Sequence, residues 1–384
     1  MNIQALLRDD NSPAAFDSDP FSTNETTSDH PALSPAPIEP QHDLANNNFS
    51  DSNNNANGSQ NANPSIKTTT QTPPSKETFV QTHTLFGHRK GVSTAKISPD
   101  GRLIITSGAD GVLLLYDLEA CTFIQTFKAP ASDAGINDIA WFPNSKFIVS
   151  ASDDKLVRIW SLASGYLLVT LHGHGSYVSC VDVNPQGSLI ASGSYDESIK
   201  IWDTLQARCL RTLAAHSDPV SALQFSRDGT MIVSSSFDGF IRIWDTNTGQ
   251  CLKTLVGESN PPVSHVQFSP NCKYIIASTL DSTIRLWNYH IDKPLKVYSG
   301  HLNQKYCLSS TVLHGKYLIS GSEDGKVYIW DIQSREIVQV IQSAHSDVII
   351  STHSQNNQTS SLFITGALER DLHVKVWSYN SDLA

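Results

Sequence analysis

Histidine, carboxylate and hydroxyl side chains recur along this chain at His88, His174, His216 and His301, at Asp110, Asp196, Asp238 and Asp324, and at the serines and threonines between them. Those three groups are the parts of a nucleophilic triad, in which the imidazole takes the hydroxyl proton and the carboxylate orients the imidazole. An enzyme needs such a set once, at a cleft. Here it is periodic. Aspartates at 110, 154, 196, 238, 281, 324 and 371 each stand six residues before an aromatic: Tyr116, Trp160, Trp202, Trp244, Trp287, Trp330 and Trp377. A constellation repeated in this way reads as construction, a means of satisfying buried polar groups. No catalytic residue is assigned. The six cysteines contain no CxxC pair and no metal-ligand spacing, so neither a metal nor a cofactor is expected, and free thiols are expected over disulfides.

The elements that must position these residues follow from the period. Successive aromatics are 44, 42, 42, 43, 43 and 47 residues apart. Between Gly and Asp turns the residues alternate as β-branched and aromatic, which predicts strands. In the sixth copy the expected strands are Tyr306–Thr311, Tyr317–Ser320, Val327–Trp330 and Glu336–Ile341. Gly87-His88, Gly173-His174 and Gly300-His301 open repeats, and Trp202-Asp203, Trp244-Asp245 and Trp330-Asp331 close them. With this period and these landmarks, residues from about 82 to 379 resemble the WD40 repeat. The resemblance implies an all-β, seven-bladed propeller over residues 80–384. Thr82–Leu85 is then expected to supply the outermost strand of the last blade, beside Val374–Trp377, and so to close the ring and protect its edges.

Residues 1–79 are rich in Asn, Ser, Thr and Pro and carry ten acidic against three basic residues. Such a segment has too little apolar surface to offset its ordering entropy, so a disordered tail is expected. The formal charge of −10 divides into −7 for the tail and about −3 for the repeats. Neither part is a basic nucleic-acid surface. No apolar run reaches the roughly 18–20 residues that span a bilayer, and the first residues lack the charged-then-apolar order of a signal peptide.

Within the WD40 resemblance, the turn aspartate orients the histidine, which reaches a strand Ser or Thr and through it the Trp. This implies a network of His88, Asp110 and Ser107 or Thr106, with Tyr116 in place of Trp. It implies others at His174, Asp196 and Trp202, at His216, Asp238 and Trp244, and at His301, Asp324 and Trp330. The repeats of Asp154 and Asp281 lack the histidine, and an incomplete network is expected there.

Residues outside the repeat consensus carry a finer resemblance. Leu213-Ala-Ala-His-Ser-Asp-Pro-Val-Ser221, Asn260-Pro-Pro-Val-Ser264, Phe268-Ser-Pro-Asn271, Lys305-Tyr-Cys307 and Glu336-Ile-Val-Gln339 resemble the propeller subunit of COMPASS/MLL-type histone H3 lysine-4 methyltransferase complexes. That family implies a non-catalytic nuclear scaffold, whose partners are a SET-domain methyltransferase, other complex subunits and the histone H3 tail. It implies a central channel that takes a partner arginine, lined by Ala109, Gly135, Asn137, Asp153, Tyr195, Pro219, Ser221, Phe237, Ser264, Tyr306 and Cys307. The two phenylalanines that sandwich this arginine in animal members align with Ser179 and Ser309. It also implies a side cleft for a short hydrophobic and acidic segment, at Asn271, Tyr274, Leu286 and Lys296, with Val312 as a wall. The rival reading is a substrate-recognition adaptor of a ubiquitin ligase. It wants an arginine cluster on the channel face, where Ala109, Tyr195, Phe237 and Ser264 stand instead.

Overall fold

The computed structural model describes residues 78–130, 132–257, 259–355 and 361–380. The expected tail lies almost wholly outside them. The described residues form seven four-stranded antiparallel sheets arranged as a propeller, without a helix. In six blades the strands follow chain order from the axis outward. In blade seven Thr78–Leu85 is the outermost strand, paired with Val374–Asn380 so that Gln81 faces Trp377 and Leu85 faces Val374. The closing strand therefore runs as the sequence predicts and begins a few residues earlier.

Alternation within the strands sends one face of each blade against the next. The apolar clusters accordingly lie between neighbours: Trp202 of blade three packs with Phe147, Val149 and Ile159 of blade two, and Trp244 of blade four packs with Ile199 and Ile201 of blade three. Between the second and third strands of blade four, Gly239 has φ +81, and a Cβ there would stand 2.5 Å from the Asn260 carbonyl oxygen. Only glycine serves that approach.

Blade six departs from its expected strands. Its inner strand is Ser310–Leu313, and Tyr306–Ser309 are irregular. The amides there are taken elsewhere: one Glu323 oxygen accepts the N–H groups of Gln304, Lys305 and Tyr306 at 2.8, 2.6 and 3.0 Å, Leu308 donates to the Tyr306 carbonyl at 3.1 Å, and Ser309 to the Ile350 carbonyl at 3.0 Å. Amides held by a side chain are unavailable to a ladder.

Around the axis a belt of side chains joins each inner strand to the next. Lys96 of blade one pairs with Asp138 of blade two at 2.8 Å, and Asp138 accepts the Val181 N–H of blade three at 3.0 Å. Asp182 accepts from Phe225 at 2.8 Å, and Gln224 from Phe268 at 2.7 Å. Gln267 donates to the Ser310 carbonyl at 2.8 Å, and the Thr311 and Ser354 hydroxyls meet at 2.7 Å. His353 of blade seven accepts the Ile97 N–H of blade one at 3.2 Å, and the circle closes.

Candidate functional site: the central channel and the rim

The inner strands surround a cavity of about 1110 Å³. Nine residues expected in the channel line it: Ala109, Asn137, Asp153, Tyr195, Ser221, Phe237, Ser264, Tyr306 and Cys307. Gly135 and Pro219 stand behind the wall and act through their carbonyls, which accept the N–H groups of Asp153 and Phe237. A Cβ on Gly135 would meet the Asp153 carboxylate at 2.9 Å. At the mouth Asn137 donates to Asp153 at 2.8 Å. Tyr195 meets Tyr177 edge-on with ring centroids 6.0 Å apart, and both rings are about half exposed. Burial raises the Tyr195 phenol above its ordinary value and pushes the Cys307 thiol up to about 12, so both stay neutral. The wall thus offers the Asp153 carboxylate and the Tyr195 and Tyr177 rings to a cation, while Lys305 already lies over the Tyr306 ring.

Ser179 and Ser309 line the same cavity with their hydroxyls engaged. Ser179 donates to the Val220 carbonyl at 2.5 Å, and Ser309 accepts the Thr352 N–H at 2.7 Å. Asn137 and Ser221 likewise reach the next blade, at the Val178 and Val263 carbonyls, while Ser264 accepts from Asn303 of blade six. These residues join blades as well as face the channel.

At the channel waist the charged pair Lys96–Asp138 is accompanied by Asp182, His265 and His353. Burial pushes the Asp182 carboxyl up to about 6 and the imidazoles down, to about 4 for His265 and about 3 for His353. Sequence reading missed this belt. Its signal was a charged or amide residue one position before the end of the inner strand: Lys96, Asp182, Gln224 and Gln267.

The periodic His–Asp sets lie in the body of the blades. His174 contacts Asp196 at 2.9 Å and Ser192 at 2.7 Å, and Trp202 Nε1 donates to the same serine at 2.8 Å. His216, Asp238, Ser234 and Trp244 repeat this arrangement. In blade seven His345 and Trp377 share Thr365, with Asp371 at 3.1 Å. His88 reaches Asp110 and Thr106, while Tyr116 donates instead to the Phe86 carbonyl. The hydroxyls are shared between imidazole and indole inside the fold, which leaves no free nucleophile among them.

Three blades correct the expected network. In blade six both ring nitrogens of His301 are buried without a partner, and Asp324 is bonded by Tyr328 at 3.2 Å and Lys326 at 2.9 Å. Trp330 turns to the Ser299 carbonyl. His301 stands 19 residues before Ser320, against 18 from His174 to Ser192 and from His216 to Ser234. Spacing alone does not decide this, since His345 stands 20 residues before Thr365 and keeps its bond; in blade six the Tyr328 hydroxyl and Lys326 occupy Asp324 instead. In blades two and five, arginine replaces the missing histidine: Arg158 holds Asp154 by two nitrogens at 3.0 and 2.5 Å, and Arg285 holds Asp281 at 2.5 Å. Trp160 keeps its serine, Ser150. Trp287 has no partner for Nε1, because Ala277 occupies the acceptor position ten residues earlier.

On the rim, Tyr274 packs half-buried on the blade five–six cluster that contains Leu286 and Val312, both of them buried. Asn271 accepts the Ser269 hydroxyl and the Lys273 N–H. Lys296 donates to the Ile332 and Gln333 carbonyls of blade six at 2.9 and 3.0 Å. Arg211, Lys253 and Gln339 occupy the same place, nine residues after the aromatic, and each also reaches the following blade. Lys296 is thus a blade connector whose positive charge remains at the rim.

Comparison with known proteins bears on the whole of this scaffold. A family model described as the WDR5 beta-propeller domain matches residues 84–378. WD repeat-containing protein 1 of Xenopus tropicalis is 34% identical over 101 residues, 26% of this chain and 16% of that protein. Protein HIR1 of Kluyveromyces lactis is 29% identical over 116 residues, 27% of this chain and 14% of its own length. The transcriptional corepressor LEUNIG_HOMOLOG of Arabidopsis thaliana is 29% identical over 131 residues, 34% of this chain and 16% of its own length. The matched regions thus cover 14–16% of these relatives.

Proposed function

Because the chain belongs to the WDR5 beta-propeller family, whose fold is a protein-interaction scaffold, we propose that it is a non-catalytic subunit of a nuclear, COMPASS-like histone H3 lysine-4 methyltransferase complex. It holds the SET-domain subunit and its companions on one disc. Several modest contacts then act together, because each bound partner raises the effective concentration of the others. The observation that carries this reading is the channel wall, which includes the Asp153 carboxylate and the rings of Tyr195 and Phe237. A guanidinium entering there meets a carboxylate for hydrogen bonds and ring faces for cation–π contact. The histone H3 tail, or an arginine-bearing segment of the methyltransferase, is the partner of that mouth. The rim at Tyr274 and Lys296 takes a short apolar and acidic segment of a neighbouring subunit. A nuclear setting agrees with the likeness to a transcriptional corepressor.

The test is native co-purification with a tagged full chain, wild type beside Asp153→Asn and Tyr274→Ala, read by mass spectrometry. A SET-domain methyltransferase recovered with wild type and depleted with either variant supports the reading and says which surface holds it. Ubiquitin-ligase subunits without a methyltransferase would overturn it in favour of the adaptor.

A further inference from the structure

The channel has two mouths of unlike chemistry. The inner strands of all seven blades repeat one orientation along the axis. The residues that lead into them therefore edge one mouth, together with the hairpins that hold Asp153, Tyr195 and Phe237, and the residues that follow them edge the other. At this second mouth blades one, two, three and five carry proline two residues past the inner strand, at Pro99, Pro143, Pro185 and Pro270. Blade four carries Arg227 there. Pro99, Arg227 and Pro270 all line the cavity, and the Arg227 N–H donates to Cys272 Sγ of blade five at 3.4 Å, which fixes its loop.

The carboxylates on the way to this mouth are satisfied from within. Asp138 holds Lys96 and the Val181 N–H. Asp182 holds the Phe225 and Val183 N–H groups. Asp228, beside Arg227, holds the Ser226 hydroxyl and both the N–H and the hydroxyl of Thr230. The donors are not satisfied. Among the described residues the exposed Arg227 guanidinium has no hydrogen-bond or ion-pair partner. Gln224 uses its Oε1 on the Phe268 N–H, which leaves Nε2 unengaged in the wall. His353 accepts the Ile97 N–H at Nδ1, so its proton sits on Nε2, also in the wall. Gln267 is the converse, with Nε2 on the Ser310 carbonyl and Oε1 unengaged. The unengaged groups are thus chiefly donors, and the full charge among them, Arg227, is positive.

We propose that the second mouth is a docking site for an acidic peptide segment of a partner protein, with a carboxylate of that segment paired to the Arg227 guanidinium and its chain laid on the proline rings. The planar guanidinium takes a carboxylate through two parallel bonds, which an ammonium does not. A free anion would leave the apolar rings and most of the cavity of about 1110 Å³ unused, so a peptide is the source that fits. Opposite charge supplies the match and its selectivity. The first mouth, with Asp153, selects the other sign, so two partners of unlike charge are able to occupy the channel ends together. This site does not depend on the methyltransferase reading.

Fluorescence anisotropy of a rhodamine-labelled hexaglutamate peptide with the full chain tests the docking, and its failure leaves the methyltransferase reading standing. Wild type is expected to bind saturably, Arg227→Gln at least about fivefold more weakly, and Arg227→Glu not at all. Lys273→Gln with Lys293→Gln, in blade five away from the axis, is expected to change the affinity by less than about twofold. Equal melting temperatures of the variants are the control for folding. Amide exchange places the peptide, with the loops 98–102 and 226–230 expected to slow when it is added. Absence of saturable binding by wild type overturns the proposal. So does binding that survives Arg227→Glu, or a loss confined to the lysine pair, which puts the peptide on the rim. Displacement of the peptide by equimolar inorganic phosphate, which identifies a free anion as the ligand, overturns it as well.

Discussion

Tyr328 Oη stands 3.2 Å from Asp324 Oδ2, in the place that an imidazole takes in four other blades. The displaced His301 packs edge-on against Trp330 at 5.4 Å, and burial lowers its value to about 4. Two histidines in equivalent repeat positions therefore have opposite worth. His174→Phe removes the partner of both Asp196 and Ser192 and is expected to cost about 2–4 kcal/mol. His301→Phe removes two unpaired buried nitrogens, keeps a ring on Trp330, and is expected to be neutral or stabilising by up to about 1 kcal/mol. Melting temperatures of the two variants at pH 7 check this, and equal losses would refute it.

The same residue sets a pH dependence. With a folded value near 4 against 6.5 for the free side chain, His301 leaves stability intact above about pH 6.5 and erodes it as the pH falls toward 4, because the unfolded chain takes up the proton first. Wild type should lose more melting temperature between pH 7 and pH 5 than His301→Phe does. Parallel curves would remove His301 as a contributor.

Asp182 acts with the opposite sign. Burial raises its carboxyl from 3.8 to about 6, so the folded chain binds the proton more tightly and stability declines as the pH rises through that interval. Asp182→Asn keeps an acceptor for the Phe225 N–H and should flatten the decline. Asp182→Ala leaves that N–H buried without a partner and should cost about 1–3 kcal/mol. Melts across pH 4 to 7 separate the two.

In blades two and five arginine does the work of histidine. Burial pushes the Asp154 carboxyl up, but Arg158 and Ser132 outweigh it and hold it below its ordinary value. The Arg158 side chain is 8% exposed and that of Arg285 is 15%. Arg158→Ala is expected to cost about 2–3 kcal/mol by stranding a shielded carboxylate, and Arg285→Ala about 1 kcal/mol. Denaturant midpoints decide the order. A larger loss for Arg285→Ala would contradict it.

Phe79 couples ring closure to packing, with its ring against Tyr317, Phe363 and Tyr379. Phe79→Ala is expected to cost about 3–5 kcal/mol and to release the closing strand first. Faster amide exchange at Gln81–Leu85 before any change in blades three and four is the signature to measure.

The repeat count, the closing strand and the aspartate turns were legible because each follows from spacing and alternation. The arginine replacements were legible in principle, since Arg158 and Arg285 stand two residues before the aromatic in the two repeats that lack histidine. So was the unpaired Trp287, because Ala277 stands where other repeats carry Ser or Thr. Blade six was harder. The partner that takes Asp324 from His301 is Tyr328, which fits the strand alternation like any other residue and carries no mark in the repeat pattern. Tyr306, at the head of the irregular run before Ser310, is held by Glu323, which matches no repeat rule. Lys296 looked singular until its counterparts Arg211, Lys253 and Gln339 were seen bonding across blades.

The axial belt has a consequence for how such a gene can change. Every link runs from one inner strand to the next, and the seventh returns from His353 to Ile97. The links differ in chemistry: an ion pair, carboxylates and amides on backbone N–H groups, a hydroxyl pair. Asp182, Gln224 and His353 end on the backbone N–H of the last residue of the next inner strand, a partner every repeat carries, whereas the Lys96–Asp138 and Thr311–Ser354 links need a matching side chain. A repeat gained or lost is therefore tolerated at the backbone-directed junctions and penalised at those two, so the blades one–two and six–seven seams are where the order of repeats is fixed.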